Sequence, residues 1–141
     1  MRNLIFAGFV LLIFSGISCN AKNEKNQVIS ANSGNDVEVY YFHTSIRCVT
    51  CKAVEAEARK NVEILYPEQF MAGKLSFTSL NLEEATGRAA GQRLGVNSQT
   101  LLIVKGDQKI NLTNEGFLYA VSQPQKFSEV MKSKIDPLLI K

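Results

Sequence analysis

Apolar and polar positions divide most of this chain into short, regular segments. Residues 37–42, VEVYYF, are β-branched and aromatic and predict a strand. Residues 48 to about 65 carry apolar side chains at helical spacing. Val49, Ala53, Ala56 and Val62 are expected on the buried face, and Glu55, Glu57, Arg59 and Lys60 on the wet one. Tyr66-Pro67 should end that helix, because a residue before proline disfavours the α region. Residues 75–82, LSFTSLNL, alternate as a second strand, and residues 83–94 form a second helix with Gly95 as its stop. The continuous apolar run TLLIVK at 100–105 reads as a buried central strand. Gly106-Asp107 then turns the chain into a hairpin partner at 109–113, which Asn114-Glu115-Gly116 breaks. A last helix is expected from Pro124 to about Ile135, with the proline tolerated in its first turn, followed by an apolar tail at 137–141.

The order is therefore strand, helix, strand, helix, strand, strand, helix. That is an α/β chain with a four-stranded mixed sheet and helices on both faces. The two crossovers predict parallel neighbours, and the hairpin predicts an antiparallel edge.

Upstream of residue 36 the pattern changes. Met1-Arg2-Asn3 is a short basic start, residues 4–14 are an apolar run, and Ser15, Gly16 and Ser18 are small. This is the layout of a secretory signal peptide over residues 1–18, too short for a membrane span. Cys19 follows at once, so the segment resembles a bacterial lipoprotein signal, with Cys19 as the acylated N-terminus and a membrane lipid anchor. Gly16 stands where such signals usually carry leucine. Residues 19–35 are polar, rich in Asn, Lys and Ser, and read as a flexible tether, with Val28-Ile29 as a candidate edge strand. The folded domain is expected over 36–141, exported to the periplasm or cell envelope.

Composition narrows the function. At 141 residues, 45% hydrophobic and 21% charged, the chain is an ordinary globular protein of one domain. Its net charge of +3, without basic runs interleaved with aromatics, argues against a nucleic-acid partner. A single histidine excludes a multi-histidine metal centre within one chain.

The chemistry concentrates at residues 40–54, YYFHTSIRCVTCKAV, a strand end, a short loop and the start of a helix. Cys48 and Cys51 fall where the helix begins. Unpaired N–H groups and the positive end of the helix dipole favour a thiolate there. Spacing of three puts both sulfurs on one face, close enough to close a disulfide or to grip a soft ion. Cys48 is the expected exposed nucleophile, aided by Arg47, and Cys51 the resolving thiol. His43 at the strand end is a candidate proton shuttle, or simply a residue bonded to backbone. Thr50, between the cysteines, is expected to tune the pair through local hydrogen bonding.

The element order, with C-x-x-C opening the first helix, resembles the thioredoxin fold over about residues 36–136. The segment from Leu94-Gly95-Val96 through Gln99-Thr100-Leu101-Leu102-Ile103-Val104-Lys105-Gly106-Asp107 is similar to the one that leads into the family's strand before its hairpin. The resemblance implies a thiol–disulfide oxidoreductase with protein disulfides or dithiols as substrates, no cofactor, and a membrane or periplasmic electron donor if it works as a reductase. The motif here is Arg47-Cys48-Val49-Thr50-Cys51, without the family's Trp, Gly and Pro. Gln99 precedes Thr100 where the family has a cis-proline, so a different local backbone is expected. Tyr41 and Phe42 lie where the family buries an acid.

Two other readings stand beside exchange. Cys48, Cys51 and His43 suit Cu(I), Zn or As(III) by softness, as an incomplete metal or metalloid site with Gln99 reaching over it. A static disulfide in a domain that only binds a partner is the third. The remaining motifs have bland explanations. Asn111-Leu112-Thr113 lies in an expected strand rather than an exposed glycosylation loop. Gly87, Gly91 and Gly95 are spaced by four in a polar segment that is no strand-to-helix phosphate cradle, and Ala89-Ala90 with Gly91 suit close helix packing. Residues 117–121, FLYAV, are expected to pack under the last helix.

Overall fold

The computed structural model describes residues 36–140. The signal peptide, Cys19, the tether and the Val28-Ile29 strand all lie outside the described residues. Nine elements follow in order: β1 (Val37–His43), α1 (Val49–Leu65), α2 (Pro67–Met71), β2 (Leu75–Asn81), α3 (Ala85–Leu94), β3 (Thr100–Lys105), β4 (Gln108–Asn111), α4 (Thr113–Tyr119) and α5 (Pro124–Leu139). The four strands form one mixed sheet in the order β2-β1-β3-β4. This α/β arrangement is consistent with the thioredoxin-like fold. Among the described residues no helix is long and apolar enough to cross a membrane.

Strand parity divides the core into two layers. Val37, Val39 and Tyr41 of β1 and Leu101 and Ile103 of β3 face α1 and α5, where Val54, Ala58, Val62, Phe127, Met131 and Ile135 meet them. The alternate residues Tyr40, Phe42, Leu102 and Val104 face the opposite side, packed against Ala90 and Leu94 of α3. Every apolar position of β1 and β3 is thus used, which is why both strands read as nearly continuous hydrophobic runs.

The first crossover gives the expected parallel pair, with Val37 opposite Leu75 and His43 opposite Asn81. The second does not, because β3 runs antiparallel to β1, Thr100 lying opposite Phe42. The reason is the path of α3. Gly87, in its first turns, sits against the Asn81 carbonyl at the end of β2, while the Leu94 carbonyl at its end accepts a hydrogen bond from Lys109 Nζ of β4 at 3.0 Å. Ten residues of helix span about 15 Å, roughly three strand spacings. That length carries the chain across the sheet, so β3 starts at the same end where β2 stopped.

Four further details depart from the sequence pattern. Pro67 opens a short helix, α2, since proline is tolerated at a first helical position. The segment expected as a break and a loop is α4, with Gly116 and Ala120 buried and Phe117, Leu118 and Val121 outside. Helix α5 continues through Pro137 to Leu139, because burial of Ile135 and Leu138, each worth about 1.5–3 kcal/mol, offsets the proline cost of about 3 kcal/mol. The buried face of α1 is Cys51, Val54, Ala58, Asn61 and Val62, so Val62 is retained but Val49 and Ala56 point to solvent.

Gly87 is a close-approach glycine. A Cβ built on it would lie 1.9 Å from the Asn81 carbonyl oxygen, which is backbone and cannot swing aside. Gly87→Ala gains about 1 kcal/mol of helix propensity and loses more to overpacking, about 1–3 kcal/mol or above. A thermal melt should show the variant less stable than the wild type by several degrees, although alanine is the better helix former. A melting temperature at or above the wild-type value would contradict this packing.

Candidate redox site

The site lies where β1 and β2 end together. The Leu82 N–H donates to the His43 carbonyl at 2.8 Å, extending the β1–β2 register past the last strand residue. From there the loop at 44–47 is held from both sides. The Thr44 hydroxyl donates to the Ile46 carbonyl at 3.0 Å. The Ser45 backbone N–H donates to Glu83 at 3.2 Å, and the Ser45 hydroxyl also bonds that carboxylate. Asn81 Nδ2 donates to Ser45 Oγ at 3.0 Å. These two Ser45 bonds hold the Glu83 carboxyl below its ordinary range.

Cys48 is the N-cap of α1, with extended backbone (φ −73°, ψ 165°), and its Sγ accepts the Cys51 N–H at 3.0 Å. Sulfur occupies the position that a serine or aspartate oxygen takes in an ordinary cap. The Lys52 N–H donates to the Cys48 carbonyl at 3.1 Å and closes the first turn. Cys48 and Cys51 form a disulfide across a Cα separation of 5.0 Å, inside the usual span. Their environments differ. Cys48 is exposed, while Cys51 retains 6% of its surface. A C-x-x-C pair with one reachable and one covered sulfur is compatible with redox function.

Beneath the pair runs a polar layer. Tyr41 is fully buried, and its hydroxyl donates to the Cys51 carbonyl at 2.7 Å. Gln99 Nε2 donates in turn to that hydroxyl. Burial pushes the Tyr41 phenol above its ordinary value, so it is a neutral donor at any pH where the thiols titrate. The Arg47 guanidinium lies 5.7 Å from the Tyr41 ring centre and pairs with Glu55, both side chains being 19% exposed. Burial alone would raise the Glu55 carboxyl, but the nearby Ser79 hydroxyl and the hydrogen bond and charge of Arg47 outweigh it and hold the group below the ordinary carboxylate range.

The other sequence candidates occupy definite places. His43 Nδ1 is 2.9 Å from the Thr44 carbonyl, and its ring lies 6.1 Å from that of Tyr41, which is the backbone-bonded strand end. Thr50 is half-buried in the first turn of α1. Thr100 is buried, with its hydroxyl donating to the Ser98 carbonyl at 3.0 Å. No peptide bond among the described residues is cis, so the chain enters β3 through Gln99 in trans. Gln99 does not reach over the sulfurs but turns beneath them to Tyr41. Among the described residues no three His, Cys, Asp or Glu side chains gather into a metal-holding group.

Tyr41, Glu55, Ser45, Asn81 and Glu83 were not marked as site residues by the sequence pattern. Two of them left a signal. Tyr41 shares strand parity with Val37 and Val39 and so must face α1. Glu55 is one helical turn beyond Cys51.

No known family model matches the chain, and no curated protein matches it. Among solved structures, a malarial protein is similar over 52% of this chain and 74% of its own, with 19% identity and a TM-score of 0.38. The class rests on the molecule itself: a small α/β fold, a four-strand mixed sheet and a Cys48–Cys51 pair, together fitting a thioredoxin-like protein.

Glu55 links the site to acid stability. Its folded-state pKa lies below the unfolded value of about 4.3, so its contribution is present above that pH and is lost as pH falls through the folded value. Glu55→Gln should lower the unfolding free energy from urea titration near pH 7 by the worth of a partly buried ion pair, up to about 1 kcal/mol. Below pH 4 the wild-type and variant curves should converge. A constant gap from pH 7 to pH 3 would show that Glu55 acts through packing and not through charge.

Proposed function

We propose that this domain performs thiol–disulfide exchange through Cys48 and Cys51. One observation carries the reading: an exposed sulfur caps the first helix while its partner is covered one turn behind. In the reducing direction the Cys48 thiolate attacks one sulfur of a substrate disulfide, and the substrate's other sulfur leaves as a thiolate and takes up a proton. Cys51 then loses its proton and attacks Cys48 Sγ in the mixed disulfide. The Cys48–Cys51 bond forms, the second substrate thiolate leaves, and two electrons have passed to the substrate. The oxidising direction is the reverse. The Cys51 N–H on Sγ stabilises the thiolate that starts the sequence.

The substrates in this reading are protein disulfides or dithiols. Ile46 is 91% and Val49 is 83% exposed, one on either side of Cys48, which suits an apolar neighbour of the substrate cysteine. The basic start, apolar run and Cys19 of the sequence support export and anchoring by a lipid on Cys19, with an envelope electron donor regenerating the dithiol if the protein reduces. The polar residues 20–35 would then serve as the tether.

Equilibration against glutathione with metals chelated tests the proposal. The pair should show a reversible potential in the range of roughly −270 to −120 mV. Cys48→Ser should abolish exchange with a model protein disulfide, and Cys51→Ser should accumulate the mixed disulfide on Cys48. A potential below about −300 mV, or exchange that survives Cys48→Ser, would overturn it and favour a structural disulfide.

A further inference from the structure

We propose that Tyr41 and Gln99 are positioning residues for the Cys48 thiol, acting through a hydrogen-bond chain that runs from the Gln99 amide to the Tyr41 hydroxyl to the Cys51 carbonyl. The inference rests on the reading of Cys48 as the attacking thiol. Neither residue touches a sulfur in this chain of contacts; both act on the backbone that does.

The need for such a chain follows from the first turn of α1. Helix ends fray, and the cap here is a single N–H···S contact at 3.0 Å. Val49, the first helical residue, is 83% exposed, so no apolar burial pins it. No acidic residue in that turn helps to hold it. Besides the covered Cys51 side chain, what reaches it from the core is the Tyr41 hydroxyl, whose ring is fixed on β1 between the sheet and α1 and cannot move without disturbing the larger core layer.

The bonds also reinforce one another. The Cys51 carbonyl and the Lys52 N–H belong to one peptide unit. Tyr41 donates to its oxygen at 2.7 Å, and its N–H donates to the Cys48 carbonyl at 3.1 Å. Gln99 Nε2 donates to the Tyr41 oxygen and polarises the O–H that Tyr41 gives to Cys51. The run therefore goes from Gln99 through Tyr41 and the 51–52 peptide back to Cys48, each donor strengthening the next. A buried phenol needs both its donor and its acceptor capacity met, and these two partners meet them. Because burial keeps Tyr41 neutral, the chain holds its form while the thiol titrates.

Loosening this chain misaligns the Cys51 N–H with Cys48 Sγ. The thiolate loses part of its stabilisation, the thiol pKa rises, and the disulfide becomes relatively more stable. The test uses the full chain carrying Cys19→Ser, which removes the one cysteine outside the pair. Tyr41→Phe deletes only the hydroxyl and keeps the ring under Arg47. Gln99→Met deletes the amide at a half-buried edge and serves alone if Tyr41→Phe does not fold. Ultraviolet titration of the reduced proteins reads the Cys48 thiolate, and glutathione equilibration reads the potential.

Each variant should raise the Cys48 pKa by about one unit, a tenfold loss of thiolate stabilisation, and lower the potential by about 30 mV. The double variant should shift no further than the larger single shift, since both changes break one chain. A variant with a lower melting temperature but an unmoved thiol pKa would overturn the proposal, because that is what a merely structural role does. Shifts that add fully in the double variant would overturn the chain as well. The titration needs no turnover, so it decides this point even if the pair proves inactive in exchange.

Discussion

A sulfur atom caps the first helix, and the surroundings of the site are arranged to hold that cap in place. The Cys51 N–H faces Cys48 Sγ only while residue 48 stays extended and residues 49–51 stay helical. On the side of the chain before it, the loop is fixed by Ser45, Asn81 and Glu83, which tie the β1 exit to the β2 exit. On the side after it, Tyr41 fixes the Cys51 carbonyl from inside the core. The parallel β1–β2 register is the common foundation, because it puts His43 beside Asn81 and so brings the two exits together. Gly87 serves the same junction, allowing α3 to start against the Asn81 carbonyl without pushing the loop away.

Arg47 precedes Cys48, yet its guanidinium turns inward over Tyr41 and pairs with Glu55. A salt-bridged arginine lends little net potential to a neighbouring thiolate. In the proposed exchange, the oriented peptide dipoles of the helix N-terminus and the Cys51 N–H are the groups placed beside the sulfur. Such dipoles are fixed by the fold and close to the charge, so they are screened by salt far less than an exposed cation would be.

Much of this was legible from the residues. The pattern of apolar positions locates all four strands and the three long helices within a few residues, since the packed layers on the two faces of the sheet use those positions. The C-x-x-C at a strand-to-helix junction located the reactive pair. Three kinds of information were missing. The direction of β3 depends on whether α3 runs along the sheet or across it, which spacing alone does not encode. The face of α1 was misread at Val49 and Ala56, because an exposed valine at a cap looks like a core residue in a pattern. In the α4 segment Gly116 looks like a breaker, whereas it is the residue that lets α4 approach Val54 closely, a Cβ there lying 2.9 Å from a valine methyl. Tyr41 stands in the sequence where the family buries an acid, but the pattern does not show that its hydroxyl meets the Cys51 carbonyl.

The same register fixes how the site is presented. Val37 lies at the start of β1 and Cys48 just beyond its end, so the described chain enters the sheet at the far end from the disulfide. Seven strand residues at about 3.3 Å each put roughly 20 Å between the entry and the exit. The first residue of β1 thus lies away from the exposed sulfur and its apolar neighbours Ile46 and Val49, and the strand between them carries the core that holds the site in place.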